Sequence, residues 1–375
     1  MSWNKGISAL FAGVAMLSVV GTAQAEPGKQ FVFGALLPLT GPAAPIGLEE
    51  QQGIQFAVDQ INAKGGLNGT PVRVVFDDSQ GKPDQAVLAF NRMSDLENVP
   101  ALITAFSSIS LAIAPLATRR ELLVVNPAAQ TDKLEKASPY LINTIPMVRA
   151  EAEVLAKYAF EKIGKKAAIV YENAAAGIDG RDDFRKYFEA AGGTIIAEEP
   201  VEFGQTNYRA SLLKTASVKP EFVYIAITQS HEAMADQVSQ VPDFPVAIGN
   251  TFSRPFFGYK STEGWYQTAI QSGYPDEALL SAFKTQFKAN DMGFFAREYY
   301  NATNIVVQSA KAVLDAGGEL TGTSIRDQIL KTKVFNSPIA DITFDTNTAS
   351  RPVEIQQYQG KERKVITVST PSAAN

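Results

Sequence analysis

Several loops that follow predicted strands carry groups able to hold a small anion. Ser108 lies in Phe106-Ser-Ser-Ile-Ser110, directly before a predicted helix. Hydroxyls and the free N–H groups of a helix start both bind negative charge, although the same serines could simply cap the helix. The other candidates follow later strands: Ala128, Ala129, Gln130, Thr228, Gln229, Asn250 and Arg254. The alanines offer unhindered backbone N–H groups, but an ordinary turn would have the same sequence.

Arg254 is the only charged candidate. It lies among aromatic residues in Phe252-Ser-Arg-Pro-Phe-Phe257. An arginine in such a loop could pair with a carboxylate, although exposed arginines are usually solvated surface residues. We expect Ser108 and the N–H groups near residues 129 and 130 to hold one polar end of a ligand, with Arg254, Gln229 or Asn250 at the other.

Residues suited to catalysis, cofactor binding or metal binding are scarce. The chain has no cysteine and one histidine, His231, and it contains neither a Gly-x-Ser-x-Gly elbow nor an H-E-x-x-H pair. The glycine loop at residues 41–47 lacks the G-x-G-x-x-G spacing, and Pro42 and Pro45 remove N–H donors that a phosphate would need. We therefore predict no catalytic residue, no cofactor and no metal.

The amino terminus predicts export. Lys5 supplies a basic start, an apolar run extends from Ala9 to Val20, and Ala23-Gln-Ala25 is a small-x-small cleavage site. We interpret residues 1–25 as a cleaved secretory signal and expect a periplasmic protein that does not insert into the membrane. Because cysteine is absent, lipid anchoring through a cysteine after the signal is excluded. The net charge of −5 argues against nucleic acid as a partner.

The segment from residue 31 to residue 85 predicts the pattern of the fold. An apolar run at 31–37 is followed by apolar residues at helical spacing and by a second apolar run at 72–76. This order predicts a βαβ unit with parallel strands. Strand and helix patterns then alternate to Tyr140, and again from Arg149 to Ile248, which predicts an α/β fold with two doubly wound lobes. The long helical patterns after residue 275 lack strands between them, so we expect them to return to the first lobe.

The residues that carry these patterns resemble one family. Three segments are similar to the leucine/isoleucine/valine-binding protein family. They are Phe33-Gly-Ala-Leu-Leu-Pro-Leu-Thr-Gly-Pro42, Ala57-Val-Asp-Gln-Ile-Asn-Ala-Lys-Gly-Gly-Leu-Asn-Gly69 and Phe76-Asp-Asp-Ser79. The likeness continues through Ser107-Ser108 and Asn126-Pro-Ala-Ala129 and covers essentially the whole mature chain. Members of this family are periplasmic solute receptors of ATP-driven importers.

The resemblance implies a type I periplasmic-binding-protein fold. Two Rossmann-like lobes would be joined by three crossovers, near residues 144–149, 268–275 and 349–352, and would close on a ligand by hinge motion. Residues 26–146 with 274–350 would form the N-terminal lobe. Residues 147–273 with 351–375 would form the C-terminal lobe, and the ligand cleft would lie between them.

The resemblance also implies roles for individual residues. Ser108 and the pair Ala128-Ala129 match positions that hold a ligand carboxylate. Gln130 stands where a threonine is expected, Ile46 where a large aromatic residue often covers the ligand, and Ala176 where a tyrosine packs against it. The missing tyrosine would leave room for a ring.

The ligand expected from these departures is a small organic acid, aromatic or branched. The loop between Asp243 and Glu263 lacks the acid that family members use to bind an ammonium group, and a buried ammonium without a counter-charge is costly. The alternative is a branched-chain or other hydrophobic amino acid, with Glu49 or another acid as the counter-charge.

The resemblance also implies partners. A monomeric receptor would deliver its small-molecule ligand to the permease subunits of an ABC importer, without making or breaking a bond. Two other functions stay open from the sequence: a sensor that presents its ligand to a membrane receptor, and an exported enzyme on the same scaffold.

Overall fold

The computed structural model describes residues 1, 30–251, 260–360 and 362–371. Apart from Met1, the predicted signal segment lies outside these ranges, and so does Arg254. Within the described ranges, no helix combines the length and the apolar character needed to cross a membrane.

The first lobe is built on a five-stranded parallel sheet. Its strands lie in the order β2-β1-β3-β4-β5, which is a doubly wound order. The elements are β1 (Phe31–Leu37), α1 (Ala44–Ala63), β2 (Val72–Asp78), α2 (Pro83–Arg92), β3 (Ala101–Thr104), α3 (Ser107–Arg120), β4 (Leu123–Asn126) and β5 (Leu141–Asn143). A π-helical turn (Met93–Glu97) extends α2, and a 3-10 helix (Asp132–Lys136) precedes β5. The predicted alternation is confirmed, and β5 is an addition that the sequence did not indicate.

The second lobe repeats this order with parallel strands β7-β6-β8-β9-β10. Its elements are α4 (Val148–Lys162), β6 (Lys166–Glu172), α5 (Ala175–Ala190), β7 (Thr194–Val201), α6 (Arg209–Ser217), β8 (Phe222–Ala226), α7 (His231–Val238), β9 (Ala247–Gly249) and β10 (Tyr266–Ile270). α5 begins at Ala175 and includes Gly177 and Gly180. A Cβ atom at Gly177 would lie 2.2 Å from the carbonyl oxygen of Glu172, so glycine allows α5 to begin close against β6.

After β10 the chain returns to the first lobe, as predicted. It forms α8 (Glu277–Phe287), α9 (Phe294–Asp315) and α10 (Gly322–Thr332), followed by a small antiparallel sheet of β11 (Val334–Phe335), β12 (Ile342–Phe344) and β13 (Ala349–Ser350). Tyr299 and Ile305 of α9 and Ile325 of α10 belong to the same buried core as β1 and β3. Gly53 lets α1 lie against α9, since a Cβ there would be 2.1 Å from the Ala296 carbonyl oxygen.

The chain passes between the lobes three times, which confirms the predicted type I fold. The connecting segments are residues 144–147, 271–276 and 351–352. The second begins later than predicted because β10 extends to Ile270. The third leads into β14 (Val353–Gln359) and β15 (Glu362–Ser369), an antiparallel hairpin beside β10. The exact division of the chain into lobes stays a prediction.

A buried ion pair joins these crossovers to the first lobe. Arg351, on the third crossover, donates from Nη1 to Oε1 of Glu298 in α9 at 2.9 Å. Its Nη2 donates to the carbonyl oxygen of Thr144 on the first crossover, also at 2.9 Å. Arg351 is 3% exposed and Glu298 is 0% exposed. One guanidinium therefore holds α9 and two crossovers together.

Candidate functional site

A cavity of about 560 Å³, part of it open to solvent, lies between the carboxyl ends of the two parallel sheets. Its walls come from both lobes: Ile46, Glu50, Phe106, Ser107, Ser108, Ala128, Ala129, Gln130, Glu172, Ala174, Ala175, Ala176, Phe203, Thr228 and Phe295. Most of them follow β1, β3, β6 and β8, the strands on either side of the points where each strand order reverses. Ligands of open α/β sheets bind at such points.

Seven of the ten residues selected from the sequence line this cavity: Ile46, Ser108, Ala128, Ala129, Gln130, Ala176 and Thr228. Gln229 and Asn250 are buried but are not among its lining residues in the described part of the chain. Arg254 lies outside the described residues. The structure thus brings most of the predicted set together, and their roles toward a ligand stay a prediction.

Two helices begin at the cavity wall, one from each lobe. α3 starts at Ser107 and α5 at Ala175, and no described side chain caps either of them. The first N–H groups of a helix have no intrahelical acceptor, and the helix dipole places partial positive charge there. Two such ends in one cavity favour a negatively charged group. Ser107, Ser108 and Ser110 lie inside α3, and Phe106 is its N-cap residue, so the alternative that these serines cap the helix is wrong.

The residue before α3 has a strained backbone. Phe106 has φ 59° and ψ 142°, a region that costs a non-glycine residue about 1–3 kcal/mol and is found mainly at functional sites. Its ring meets that of Phe203 from the other lobe edge to face, with centroids 6.2 Å apart. Ile46 and Phe295 also line the cavity, so four large apolar side chains contribute to its wall.

Asn126 fixes the turn after β4. Its Oδ1 accepts hydrogen bonds from the N–H groups of Ala129 at 2.8 Å and Ala128 at 3.3 Å, and its Nδ2 donates to the carbonyl oxygen of Ala129 at 2.7 Å. Both alanines therefore use their N–H groups within the turn, which is the alternative that the sequence left open. They add methyl groups to the cavity wall instead. The N–H of Gln130 has no acceptor in the described chain and stays a candidate.

The side chain of Gln130 is directed toward the second lobe. Its Nε2 donates to Oε1 of Glu151 at 2.8 Å and to the Pro146 carbonyl oxygen at 3.1 Å. Glu151 is fully buried and also accepts from the N–H and hydroxyl of Thr251, at 2.7 and 2.6 Å. A glutamine at this position is therefore long enough to connect the cavity with α4 across the first crossover.

Two acids that were not selected from the sequence line the cavity. Glu172 ends β6 and is 1% exposed. Burial raises its pKa, while hydrogen bonds from the Thr228 hydroxyl at 2.5 Å, the Gly204 N–H and the Thr228 N–H act against that shift. Burial also raises the pKa of Glu50, which lies in α1. Glu50 stands four residues after Ile46, on the same helix face, and that spacing could have identified it.

Glu49, the acid considered from the sequence as an ammonium partner, has another role. Its Oε1 accepts from the N–H groups of Phe295 at 2.9 Å and Ala296 at 3.3 Å, at the start of α9. It is not among the described residues that line the cavity between the lobes. Phe203 and Phe295, which do line it, come from a loop and a distant helix without a local sequence signal.

Comparison with known proteins decides the family. Residues 30–363 match the model of a family described as periplasmic binding protein. The chain belongs to the periplasmic binding protein family. The Leu/Ile/Val-binding protein homolog 3 of Brucella melitensis is 28% identical over 219 residues, which are 57% of this chain and 59% of that protein. The match therefore spans about three fifths of that relative.

Two other similarities extend over nearly the whole binding protein. A leucine-, isoleucine-, valine-, threonine-, and alanine-binding protein of Pseudomonas aeruginosa is 24% identical, over 95% of this chain and 96% of the relative. A solute binding protein of an ABC transporter from Rhodopseudomonas palustris BisB5, solved in complex with 3,4-dihydroxybenzoic acid, has a TM-score of 0.80 at 20% identity. That match covers 92% of this chain and 98% of the other and shows the shared fold. The resemblance seen in the sequence is confirmed.

A cluster of charges crosses between the lobes of the binding protein beside α5. Asp179 of α5 accepts from the N–H of Asp132 at 3.1 Å and from the hydroxyl of Thr131. Arg149 of α4 pairs with Asp132 at 3.1 Å. Burial raises the pKa of Asp183 to about 7, with further contributions from the charge and hydrogen bond of Asp132 and from the charge of Asp179. The charge of Lys186 acts against that shift. No acidic or histidine group in the described ranges is arranged to hold a metal ion.

The raised pKa of Asp183 predicts a pH dependence of stability. The folded state holds this proton more tightly than the unfolded state, so its stabilising effect is complete below about pH 4 and is lost as the pH rises through about 7. Asp183→Asn keeps the neutral form at every pH. We expect the melting temperature of the variant, relative to wild type, to rise between pH 5 and pH 8 in thermal unfolding. Asp182→Asn, at an exposed neighbour, is the control; parallel curves for Asp183→Asn and wild type would contradict the assignment.

Proposed function

We propose that this chain is the periplasmic solute receptor of an ABC importer and that it binds a small carboxylic acid with an aromatic or branched body. The observation that supports this most is the meeting of the α3 and α5 N-termini in one cavity between the lobes. The oriented N–H groups at the N-termini of these two helices attract a carboxylate without needing a cationic side chain. Closure of the two lobes would bring both helix ends onto the same ligand.

The remaining walls suit an apolar body. Ile46, Phe106, Phe203 and Phe295 supply large apolar surfaces, and Ala176 leaves space where a larger side chain would project. A ring or branched chain placed there would bury apolar surface, which stabilises binding by about 25 cal/mol per Å². The complex of the Rhodopseudomonas palustris relative with 3,4-dihydroxybenzoic acid agrees with such a ligand.

A branched-chain amino acid is the alternative that one observation favours. Glu172 lines the cavity and could pair with an ammonium group, and the Pseudomonas aeruginosa relative is named for binding leucine, isoleucine and valine. However, the carboxylate of Glu172 already accepts three hydrogen bonds, from Gly204 and Thr228. Burial also favours its neutral form, which attracts an ammonium group weakly. We therefore favour the acid without an amino group.

The rest of the proposal follows from the family. The receptor is exported by the signal at residues 1–25, has no cysteine for a lipid anchor, and acts as a monomer whose closed form is recognised by the permease subunits. It performs no chemical reaction on the ligand. A protein that signals rather than imports would instead bind a membrane receptor when closed.

Isothermal titration with matched ligands tests the proposal. Leucine and 4-methylpentanoate differ only in the ammonium group, and benzoate and 3,4-dihydroxybenzoate test the aromatic class. We expect the acids to bind and leucine to bind at least about tenfold more weakly. Burial raises the pKa of both Glu50 and Glu172 and so favours their neutral forms, and an ammonium without a charged partner is costly to bury.

Glu172→Gln distinguishes the two ligand classes. We expect this variant to keep its affinity for the acids within about threefold, since the amide can still accept from Thr228. Glu189→Gln, at the exposed end of α5, is the control. Tight leucine binding that falls more than tenfold in Glu172→Gln alone would establish the amino acid alternative instead.

A further inference from the structure

A second cavity lies at the crossovers between the lobes. Its volume is about 1210 Å³, including the part open to solvent. Arg297 lines it from α9, Ser272 and Tyr274 from the second crossover, Arg351 from the third, and Glu354 from β14. Among the described residues, none lines both this cavity and the one that contains Ser108. We call it the crossover cavity.

Arg297 is a buried cation whose donors are not satisfied. It is 6% exposed, and its Nε and Nη1 are buried without an acceptor in the described part of the chain. Its guanidinium lies over the ring of Tyr274, 4.1 Å from the centroid. Stacking on a ring stabilises a cation but supplies no hydrogen-bond acceptor. Burial of an unpaired charge costs more than this stacking contributes.

The acids near Arg297 are engaged elsewhere. Its neighbour Glu298 pairs with Arg351. Glu354, on the cavity wall, accepts from Nε2 of Gln271 at 3.0 Å and from Nε2 of Gln356 at 2.8 Å. Asp341 also lines the cavity, but it is exposed at the surface. The described chain therefore offers Arg297 no buried counter-charge.

A second arginine on the same wall has a free donor. Arg351 uses Nη1 and Nη2 for Glu298 and the Thr144 carbonyl, whereas its Nε is buried without an acceptor among the described residues. Two guanidinium groups thus have unsatisfied donors at one cavity. Planar guanidinium groups match the oxygens of carboxylates and tetrahedral oxyanions.

We propose that the crossover cavity is a binding site for a small anion, a carboxylate or a tetrahedral oxyanion, with Arg297 as its counter-charge. The anion would accept from Nε or Nη1 of Arg297 and from Nε of Arg351. Tyr274 holds the plane of the Arg297 guanidinium. This site is separate from the solute site and does not depend on the proposed transport function.

Arg326 provides a matched control within the same chain. Its guanidinium also lies over a tyrosine ring, 4.3 Å from the centroid of Tyr140. Unlike Arg297, it has a carboxylate partner, because its Nε donates to Asp327 Oδ1 at 2.8 Å. Arg326→Gln therefore removes a stacked arginine without removing an unsatisfied one.

Anion titrations test the proposal. Sodium sulfate, phosphate, acetate and chloride are titrated separately into wild type, Arg297→Gln and Arg326→Gln, with the melting temperature and the binding heat as readouts. We expect sulfate, phosphate or acetate to raise the melting temperature of wild type and Arg326→Gln by about 2–4 °C at saturation. Arg297→Gln should lose this gain and at least about tenfold in affinity. General salt effects appear in all three proteins and cancel.

Two outcomes would overturn the site. One is equal responses of wild type and Arg297→Gln to every salt. The other is the absence of saturable binding heat with all four anions in wild type, which needs no variant to fold. Tyr274→Ala is a further variant, at a residue that is 73% exposed. It should lower the affinity for the anion about two- to fivefold, because it removes the stacking contact with Arg297.

Discussion

Replacement of Arg351 by methionine should lower the free energy of unfolding by about 3–5 kcal/mol, the largest loss of stability that we expect from a single side chain here. The substitution leaves the carboxylate of Glu298, which is 0% exposed, buried without its counter-charge. It also removes the donor to the Thr144 carbonyl oxygen, so the first and third crossovers lose their common contact. Denaturant unfolding of wild type and variant measures the difference.

Two controls separate this effect from the loss of any salt bridge. In the double variant Arg351→Met with Glu298→Leu, both members of this pair are removed and neither is left buried alone. Most of the stability should therefore return, to within about 1–2 kcal/mol of wild type. Arg73→Met breaks a pair in which both side chains are more than 40% exposed and should cost less than about 1 kcal/mol. If Arg351→Met were as mild as Arg73→Met, the buried pair would not stabilise the crossovers.

The sequence was sufficient for the fold because its long elements have clear periodicity. The strands Phe31–Leu37 and Lys166–Glu172 are apolar runs buried on both faces, which is the pattern of parallel sheets. The strands Leu141–Asn143 and Tyr266–Ile270 were missed. The first is only three residues long, and the second contains Gln267 and Thr268. Their strand conformation depends on tertiary pairing with β4 and β9 rather than on local pattern.

The site was predictable only as far as backbone topology determines it. Parallel strands place the loops at their carboxyl ends together, so Ser108 and Thr228 could be selected from connectivity, whereas Ala176 was selected from the family resemblance. Side-chain direction could not be predicted in this way. Asn126 bonds to the alanine N–H groups of its own turn, and Asn250 is buried but does not line the cavity in the described part of the chain. The side chain of Gln130 bonds to Glu151 of α4, a neighbour outside its own turn that no local pattern indicates.

Ala176→Trp should abolish ligand binding, with a loss of affinity of at least about a hundredfold. Ala176 lies in the first turn of α5 and lines the cavity between the two lobes. An indole there would fill part of the cavity that Ala176 lines, so the lobes could not close on a ligand. Adding or removing one ring in a binding pocket typically changes the binding free energy by several kcal/mol, which corresponds to more than a hundredfold in affinity. Isothermal titration with the strongest-binding acid or amino acid measures the loss.

The control for this variant lies on the same helix. Ala190, in the last turn of α5, is exposed, so Ala190→Trp adds the same indole without entering the cavity and should bind like wild type. Because Ala176 is only half-buried, both variants should unfold within about 2 °C of the unliganded wild type, which corresponds to less than about 1 kcal/mol. Retention of wild-type affinity by a folded Ala176→Trp would place the ligand elsewhere. Loss of binding in Ala176→Trp alone would locate it between the N-termini of α3 and α5.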